Sequence, residues 1–496
     1  MKSSSVIIIG SGIAGMAAAI RLSVQGFKVT VYEKNNYPGG KLSAFNKEGY
    51  QFDAGPSLFT QPQNIEEIFE LAGENIAEYF TYRKLEIACR YFYENGKEIN
   101  AFTDAELFAD EMSQKAGEST LAVKNYLLSS QKLYDKIGTI FLNYSLHKRS
   151  TWLHPRIFKA IGAAKFSYLF KTLHQYNSHK FSSPEAKQLF NRYATYNGSN
   201  PYKAPAMLSL IPHLEQNEGT YYPEGGMISI TNALHKLAIK KGVTFHFNNP
   251  VKRIINLDGK IKGIVTNEGN VFADIVISNG DIFFTYKNLL GHFPKAKKIL
   301  KQERSSSALI FYWGVKTVLP QLQLHNIFFS TNYQQEFDHI FKKKSLYHDP
   351  TVYVNITSTI EPSHAKPGGS NWFVMINIAA NTSQDWEVVK QTARQNIIEK
   401  LNRLLQIDIE PLIETEEILD PTGIEEKTGS YMGSLYGTSS NSKMAAFFRP
   451  ANFTSYIKNL YFCGGSVHPG GGIPLCFKSA KIATNLILKD FKKQAH

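Results

Sequence analysis

Apolar and glycine positions follow a clear order over the first 24 residues. Residues 6–9 are β-branched, a run typical of a strand that is buried on both faces of a parallel sheet. Gly10, Gly12 and Gly15 then fit the pattern G-x-G-x-x-G, and residues 16–24 have a helical pattern. In such a turn the glycines allow close backbone approach to a pyrophosphate, which rests on the helix N-terminus. This stretch therefore predicts a dinucleotide-binding unit.

A second alternating strand is predicted at residues 28–33 and completes a βαβ unit. Glu33 ends this strand about 20 residues after the glycine loop, where an acid binds the adenosine ribose hydroxyls in such folds. Because a free 2′-hydroxyl suits a carboxylate, Glu33 favours FAD or NAD over NADP. The alternative is a glutamate at the surface end of a strand.

Two further glycine-containing turns follow closely, at residues 38–41 (Pro-Gly-Gly-Lys) and 49–57. A plain nicotinamide dehydrogenase does not need them, whereas a longer cofactor is approached by the backbone at several points. Surface hairpin turns are the alternative explanation. The combined spacing favours the longer cofactor.

The middle of the chain mixes helical and alternating patterns. We predict a helix at 66–72, a hairpin over 86–102 that turns at 95–96, and mainly helices over 104–200. A helix ending near 241, a strand at 243–247 and a meander over 251–276 follow. We further predict strands at 308–316, 351–357 and 372–378 and a helix at 387–404. Alternation in these strands predicts a sheet that is covered on one side only.

The last 40 residues contain the second strong motif. An apolar strand at 460–462 leads into Gly464 and Gly465, then into His468-Pro-Gly-Gly-Gly472, and a helix begins at Ile473. This glycine-rich turn aims the positive end of a helix at an electron-accepting group. The two ends of the chain are therefore predicted to form one cofactor site.

Composition limits the class of protein. With 496 residues the chain exceeds the usual ~250–300 residues of one hydrophobic core, so we expect two intertwined domains. The three cysteines lack a C-x-x-C pattern, which argues against a disulfide framework or a metal site and favours a reducing compartment. No apolar stretch approaches the ~20 residues of a membrane span, and no signal peptide is evident.

The formal net charge of +13 favours an anionic partner, although lysines used for solubility are an equal alternative. Residues 136–184 contain no Asp or Glu, and aromatic residues alternate there with basic ones: Lys136, Lys148, Arg149, Arg156, Lys159, Lys165, Lys171 and Lys180. This stretch suits docking on anionic lipid headgroups; a core helix with a solvated lysine face is the alternative. Nucleic acid is not expected, because no recognition motif accompanies the charge.

These motifs, in this order, resemble the superfamily of FAD-dependent amine oxidases and phytoene desaturases. The HPGGGIP segment is similar to the carotenoid and bacterial phytoene desaturase signature. The resemblance implies an FAD cofactor and an α/β fold, in which an FAD-binding Rossmann-like domain of the glutathione-reductase type accompanies a discontinuous mixed α+β substrate domain. It implies domains at 1–80, 225–288 and 426–496 for the cofactor, and at 81–224 and 289–425 for the substrate.

The resemblance also implies the residues that line the flavin cofactor. Lys41 stands where many relatives carry Arg. Lysine keeps the positive charge of arginine but lacks its bidentate fork. The implied residues are Gly10, Gly12, Ile13, Ala14, Gly15, Glu33, Lys34, Gly40, Lys41, Leu42, Gly55, Pro56, Ser57, Val251, Gly464, Gly465, Gly472, Ile473 and Pro474.

No catalytic triad or paired acid is evident, and a flavin desaturase does not demand one, because hydride leaves an allylic C–H for the flavin. His468, Arg192 and Glu224 are the candidate proton acceptors, each with a structural role as the alternative. Residues 190–205 and 211–215 resemble the hydroxycarotenoid 3,4-desaturases. We therefore expect C-3,4 desaturation of an apolar 1-hydroxycarotenoid.

Several alternatives stay open at this point: a phytoene desaturase, a carotenoid isomerase or saturase, an amine or protoporphyrinogen oxidase, and a lipid-carrying escort protein. The electron acceptor is also open among oxygen, a quinone and another carrier. We expect a cytoplasmic protein in peripheral contact with the inner face of the cell membrane.

Overall fold

The computed structural model describes residues 4–152, 167–291, 293, 296–442 and 449–492. Its strands are β1 (Ser5–Ile9), β2 (Lys28–Tyr32), β3 (Ala44–Lys47), β4 (Tyr50–Asp53), β5 (Phe59–Thr60), β6 (Tyr82–Lys84), β7 (Ile87–Phe92), β8 (Glu98–Phe102), β9 (Thr220–Pro223), β10 (Thr244–His246), β11 (Arg253–Leu257), β12 (Lys260–Thr266), β13 (Gly269–Phe272), β14 (Ile275–Ser278), β15 (Ser307–Val315), β16 (His325–Phe328), β17 (Val352–Asn355), β18 (Ser370–Ile378), β19 (Ile413–Leu419) and β20 (Leu460–Phe462).

The helices in the same residues are α1 (Ile13–Ser23), α2 (Gln63–Leu71), α3 (Ala105–Ala116), α4 (Thr120–Leu133), α5 (Thr139–Asn143), α6 (Arg149–Trp152), α7 (Ser167–Phe170), α8 (Leu173–Lys180), α9 (Pro184–Asn191), α10 (Ile228–Lys240), α11 (Ile282–Phe284), α12 (Lys297–Leu300), α13 (Tyr333–Asp338), α14 (Trp386–Leu405), α15 (Pro421–Thr428) and α16 (Ile473–Lys492).

A five-stranded parallel sheet organises the first half of the fold, with strand order β10-β2-β1-β14-β20. The β-branched strand β1 lies at its centre, where Val6 is in register with Val29 on one side and Ile275 on the other. Helices α1, α10 and α16 pack on one face, and the meander β11-β12-β13 contributes apolar residues to the other face. This double cover explains why β1 reads as an uninterrupted apolar run.

The second half of the fold is built on a seven-stranded sheet of order β19-β15-β18-β17-β16-β7-β8. Neighbouring strands are antiparallel except β16 and β7, which are parallel. Helices α3, α4, α8 and α9 pack around one end of this sheet and share a core that includes Phe190 and Tyr126. The predicted hairpin over 86–102 is confirmed as β7 and β8.

The prediction of a sheet covered on one side is wrong for the interior strand β15, because each of its nine residues is buried. Phe311 and Trp313 pack with helix α14 on one face, whereas Ile310 and Tyr312 pack against Tyr50 of the β3–β4 hairpin on the other. A hairpin from the first 60 residues therefore covers a sheet formed mostly by residues far along the chain.

Three strands of the two large sheets were not anticipated correctly. The strand β14 was predicted as part of the meander, yet it enters the parallel sheet between β1 and β20. The edge strand β19 and the internal strand β16 carry no strong alternating pattern and were not predicted. Strand pairing over long sequence distances determined these strands.

The expected fold class is confirmed: a Rossmann-like parallel unit is combined with a separate sheet-rich unit. All strands of the parallel sheet lie in 1–80, 225–288 and 426–496, and those of the seven-stranded sheet lie in 81–224 and 289–425. The domain limits themselves stay a prediction. Within the described residues, no helix is long and apolar enough to cross a membrane.

Truncation of a central side chain tests this architecture. Phe311 on β15 is fully buried, so Phe311→Ala should lower the free energy of unfolding by about 3–5 kcal/mol through lost contacts and a residual cavity. Val388→Ala on α14, at a side chain that is 58% exposed, should change it by less than ~0.5 kcal/mol. Chemical denaturation of both variants measures the difference, and equal effects would contradict this account of the core.

Candidate functional site

The candidate site lies where the carboxyl ends of the parallel strands meet. Gly10 follows β1, Glu33 follows β2, Asn279 follows β14 and Cys463 follows β20. Parallel strands place these residues at one edge of the sheet, which is where ligands bind in open α/β sheets. Residues from both ends of the chain are therefore brought together.

The first glycine turn is shaped by close backbone approach. Gly10 has a φ of +94°, and its N–H donates to the Tyr32 carbonyl at 2.8 Å. A Cβ on Gly15 would lie 2.3 Å from the Gly10 carbonyl oxygen, so only glycine fits there. The helix α1 begins at Ile13 after the N-cap Gly12, and no side chain in the described part of the chain caps it. Ala14 is buried in its first turn, and the N-terminal amides are left for an anion.

Glu33 is buried beside this turn, at 5% exposure. Its Oε2 accepts from the backbone N–H of Ser11 at 2.8 Å and from the Ser11 hydroxyl at 2.9 Å, and its Oε1 accepts from the Asn35 N–H at 3.0 Å. The carboxylate therefore holds the glycine turn in place from the end of β2. The neighbouring Lys34 donates to the Glu426 carbonyl, and burial lowers its pKa.

The Pro-Gly-Gly-Lys turn packs directly on the first turn. The Gly39 N–H donates to the Ser11 carbonyl at 2.9 Å, and a Cβ on Gly40 would lie 3.6 Å from the Gly12 Cα. Leu42 is buried in the core, where its carbonyl accepts from the Thr231 hydroxyl at 2.7 Å. The two glycine turns that the sequence predicts thus form one continuous surface.

Lys41 presents a cation to that surface. Its Nζ donates to the Leu435 carbonyl at 2.8 Å. Burial lowers the pKa of Lys41 to about 8, although the negative charge of Asp281 opposes the shift. An amine with this pKa is readily stabilised in its charged form by an added anion.

The segment from Gly55 to Ser57 leads from this surface to the seven-stranded sheet. A Cβ on Gly55 would lie 1.9 Å from the Lys41 carbonyl oxygen, so the two turns touch through backbone. Pro56 is exposed, and the Ser57 hydroxyl lies 2.6 Å from the Tyr353 hydroxyl on β17. Ser57 therefore links the glycine turns to the second half of the fold.

The C-terminal turn is held by buried polar side chains. Ser479 accepts from the Gly464 N–H at 3.1 Å and donates to the His468 carbonyl at 2.9 Å. Asn452 donates to the same carbonyl at 2.8 Å. Gly465 packs against Gly471, whose Cα would lie 3.1 Å from a Cβ on Gly465.

The long helix α16 begins directly behind this turn, at Ile473 and Pro474. Gly472 precedes it with a φ of +111°, and a Cβ placed there meets no atom of the described residues within 4 Å. The helix N-terminus therefore borders open space, and no acidic residue occupies its first turn. A positive dipole end faces whatever group fills that space.

Asn279 joins the two turns and was missed in the sequence. Its Nδ2 donates to the Gly10 carbonyl at 3.3 Å and would lie 2.7 Å from a Cβ on Gly12. Its Oδ1 accepts from the Cys463 thiol at 3.7 Å and would lie 2.9 Å from a Cβ on Gly464. The available signal was an Asn-Gly pair directly after an apolar stretch.

The remaining predicted positions are placed as follows. Val251, between β10 and β11, packs with Tyr32 and Ile9 in the core of the parallel sheet. Among the candidate proton acceptors, Glu224 is exposed and accepts from the Thr81 hydroxyl. His468 is buried; its Nε2 donates to the Tyr144 carbonyl at 2.9 Å, and burial lowers its pKa to about 4.

Arg192 is buried and pairs with Glu215 at 3.0 Å. Its pKa is raised well above the usual range, because nearby Tyr and Glu side chains outweigh its desolvation. An arginine held as a cation cannot accept a proton, so the hypothesis that Arg192 is the proton acceptor is wrong.

These features suit a dinucleotide with an anionic bridge. The uncapped α1 amides and Lys41 would hold the pyrophosphate, Glu33 the ribose hydroxyls, and the α16 N-terminus the electron-accepting end. A Cβ on Gly12 or Gly15 would collide with Asn279 or Gly10, so glycine at both positions allows the close packing of this turn.

Comparison with known proteins decides the family. The family model described as flavin containing amine oxidoreductase matches residues 13–488 of this chain. The chain belongs to this family. It is an FAD-dependent oxidoreductase, as the resemblance predicted.

Two curated relatives cover almost the whole chain. A 1-hydroxycarotenoid 3,4-desaturase of a Flavobacterium species is 51% identical over 97% of this chain and 98% of its own length. A phytoene desaturase of Fusarium fujikuroi is 32% identical over 98% of this chain and 89% of its own length. Among solved structures, an oxidoreductase of Methanosarcina mazei shares the fold with a TM-score of 0.63, at 16% identity over 98% of this chain and 100% of that one.

The Lys41 amine makes FAD affinity dependent on pH. Without FAD its pKa is about 8, and the pyrophosphate stabilises the charged form. Affinity should therefore be nearly full at pH 7 and fall about tenfold between pH 7 and 9, as the amine of the free protein loses its proton. Titration of the flavin-free protein, followed by flavin fluorescence, measures this.

The control is Lys41→Arg, whose guanidinium stays charged over the whole range. Its affinity should be independent of pH between 7 and 9. An equal pH dependence in both proteins would show that another group is responsible.

Proposed function

We propose that this flavin containing amine oxidoreductase desaturates the C-3,4 bond of a 1-hydroxycarotenoid. The observation that carries the proposal is the 51% identity, over nearly the full length, to a protein with this activity. The HPGGGIP segment, which is similar to the carotenoid desaturase signature, also supports the proposal. This segment forms the part of the site that borders the α16 N-terminus.

The proposed reaction removes two hydrogens from adjacent carbons. FAD, when bound, accepts the hydrogen that leaves the allylic carbon with its electron pair. The other carbon loses a proton, and the electron pair of that C–H bond forms the new double bond. Neighbouring double bonds spread the positive charge, so the chain's main tasks are to orient the polyene and exclude water.

The described residues match these tasks. The α16 N-terminus supplies fixed amide dipoles that need no reorganisation during the reaction. The seven-stranded sheet has buried aromatic residues close to the glycine turns of the cofactor site. Tyr312, for example, donates to the Ala54 carbonyl at 2.8 Å. His468 and Glu224 stay candidates for the proton acceptor.

We also propose peripheral contact with the anionic inner face of the cell membrane. Leu121, Lys124, Leu128 and Lys132 are spaced by three and four residues along α4, which places them on one stripe. Leu121 is 67% exposed and Leu128 46% exposed. Trp152 and Phe170 are further exposed apolar side chains in the basic stretch, of which Arg156, Lys159 and Lys165 lie outside the described residues. Exposed apolar and basic side chains together suit a lipid surface.

The desaturase proposal is tested with two substrates. The purified holoenzyme should convert a 1-hydroxy acyclic carotenoid into a red-shifted product lighter by two hydrogens, and it should leave phytoene unchanged. Absorption spectra and mass spectrometry of the products measure this. A product from phytoene alone would assign the protein to phytoene desaturation, and a product of unchanged mass would indicate isomerisation.

The membrane proposal is tested by flotation with phosphatidylcholine vesicles, with and without phosphatidylglycerol. The wild type should float with the anionic vesicles, and high salt should weaken this binding because the Debye length shrinks. Replacing Leu121 and Leu128 by Ser should reduce flotation, whereas Val318→Ser, at a side chain that is 54% exposed elsewhere, should not. Binding that is independent of both salt concentration and lipid charge would contradict the electrostatic contribution to the proposed membrane contact.

A further inference from the structure

A buried histidine on the unpredicted strand β16 carries an unpaired hydrogen-bonding atom. His325 is 2% exposed, and its Nδ1 lies 2.7 Å from the Tyr353 hydroxyl and 3.2 Å from Asn355 Nδ2. Its Nε2 has no hydrogen-bond partner among the described residues. Because buried polar atoms are nearly always paired, this atom calls for a partner.

The hydrogen-bond network identifies Nε2 as a donor. Asn355 Nδ2 also donates to the Leu324 carbonyl at 2.9 Å, which establishes it as the amide nitrogen. His325 Nδ1 must then accept from Asn355, so the ring proton of the neutral imidazole is on Nε2. Burial lowers the pKa of His325 to about 3, and the positive charge of Arg192 contributes, so the ring is neutral at physiological pH. The unpaired group is therefore an N–H that requires an acceptor.

A chain of hydrogen bonds connects this histidine to the glycine turns of the cofactor site. Ser57 bonds the Tyr353 hydroxyl, which bonds His325, and Gly55 lies against the backbone of Lys41. Two hydrogen-bonding side chains, Tyr353 and Ser57, thus separate the histidine from the turn at Gly55. The histidine itself lies on β16 of the seven-stranded sheet.

The segment that resembles the hydroxycarotenoid branch folds beside the same histidine. Arg192, from that segment, influences the pKa values of both His325 and Tyr353. Its guanidinium is held by Glu215, from the same segment, and by contact with the Tyr196 ring at 5.2 Å. A buried polar cluster of this size is unexpected beside a binding site for a pure hydrocarbon, because buried polar groups are costly without partners.

The chemistry of the proposed substrate supplies an oxygen at the right place. A hydroxyl on C1 is separated from C3 by two C–C bonds and one C–O bond, a span of roughly 4 Å at most. The group that recognises it must therefore lie close to the flavin, and Tyr353 and Ser57 connect His325 to the glycine turns of the cofactor site.

We propose that His325 determines specificity by donating a hydrogen bond from Nε2–H to the tertiary hydroxyl oxygen of the carotenoid. Tyr353 and Asn355 hold the imidazole in the donor tautomer, and Ser57 ties it to the cofactor surface. This inference rests on the proposed function, since it names how the 1-hydroxyl end is selected. A polyene without the hydroxyl leaves the buried N–H unpaired and is therefore rejected.

The test uses reaction products as ligands, so that no turnover occurs during binding. Dissociation constants of the 3,4-desaturated 1-hydroxy polyene and of its 1-deoxy counterpart are measured on the holoenzyme by quenching of tryptophan fluorescence. The wild type should bind the hydroxy form roughly ten- to a hundredfold more tightly.

Two substitutions separate the two ring nitrogens. His325→Asn places an amide near Nδ1 and removes the distal donor, so the ratio of dissociation constants should fall to about one while the deoxy form binds as before. His325→Gln places an amide N–H near Nε2 and should retain most of the preference. His339→Asn, in a π-helical turn where His339 bonds Ser345, is the matched control and should keep the wild-type ratio.

The proposal is overturned if the wild type shows no preference, if His325→Asn keeps the wild-type ratio, or if it weakens both ligands equally. It is also overturned if the Gln and Asn variants behave alike. Product mass from the 1-hydroxy substrate is measured separately. A binding preference that depends on His325 in a protein that does not desaturate would support the recognition site and reject the desaturase function.

Discussion

The contact of Asn279 with two glycine turns is the constraint on which the site depends. One amide side chain bridges the Gly10 carbonyl and Cys463, residues separated by most of the chain. The bridge exists because β14 lies between β1 and β20, so that three strand ends meet at one edge. The glycines around Asn279 leave no room for a Cβ, so the two turns can pack this closely on its side chain only with glycine at these positions.

Electrostatic preorganisation at the site depends in part on the N-terminus of α1, which lacks a side-chain cap. Some helices elsewhere begin with a capping side chain, as Asp104 does for α3 and Asp385 for α14, whereas α2 and α10 begin without one. In the described part of the chain, α1 has no such cap. A capping carboxylate at α1 would satisfy the amides and repel a phosphate, so the absence of the cap favours an anionic ligand.

The part of the fold built on the seven-stranded sheet combines an apolar framework with a small number of buried polar groups. The strand β15 is covered by α14 on one face and by the β3–β4 hairpin on the other, which excludes water from this part of the sheet. Elsewhere in this part of the fold, the Arg192–Glu215 pair and the His325–Tyr353 pair are buried, and burial of such groups carries a desolvation cost. Groups retained at such a cost are typical of recognition rather than of stability.

The sequence alone determined the parts of the protein that depend on local geometry. The glycine turns, the strand β1, the acid at Glu33 and the helix after Gly472 were predicted because positive φ angles, close backbone approach and short-range periodicity leave a direct mark on residue types. The same marks carried the resemblance that identified the family and its cofactor.

Only the tertiary structure decided the features that depend on long-range pairing. The position of β14, the buried strand β16 and the role of Asn279 follow from which strands lie side by side, and no local pattern specifies that. The buried pairing of Arg192 with Glu215 also depends on the fold. The tautomer of His325 likewise depends on partners about 30 residues away, because a side chain's protonation is set by its neighbours in space and not in sequence.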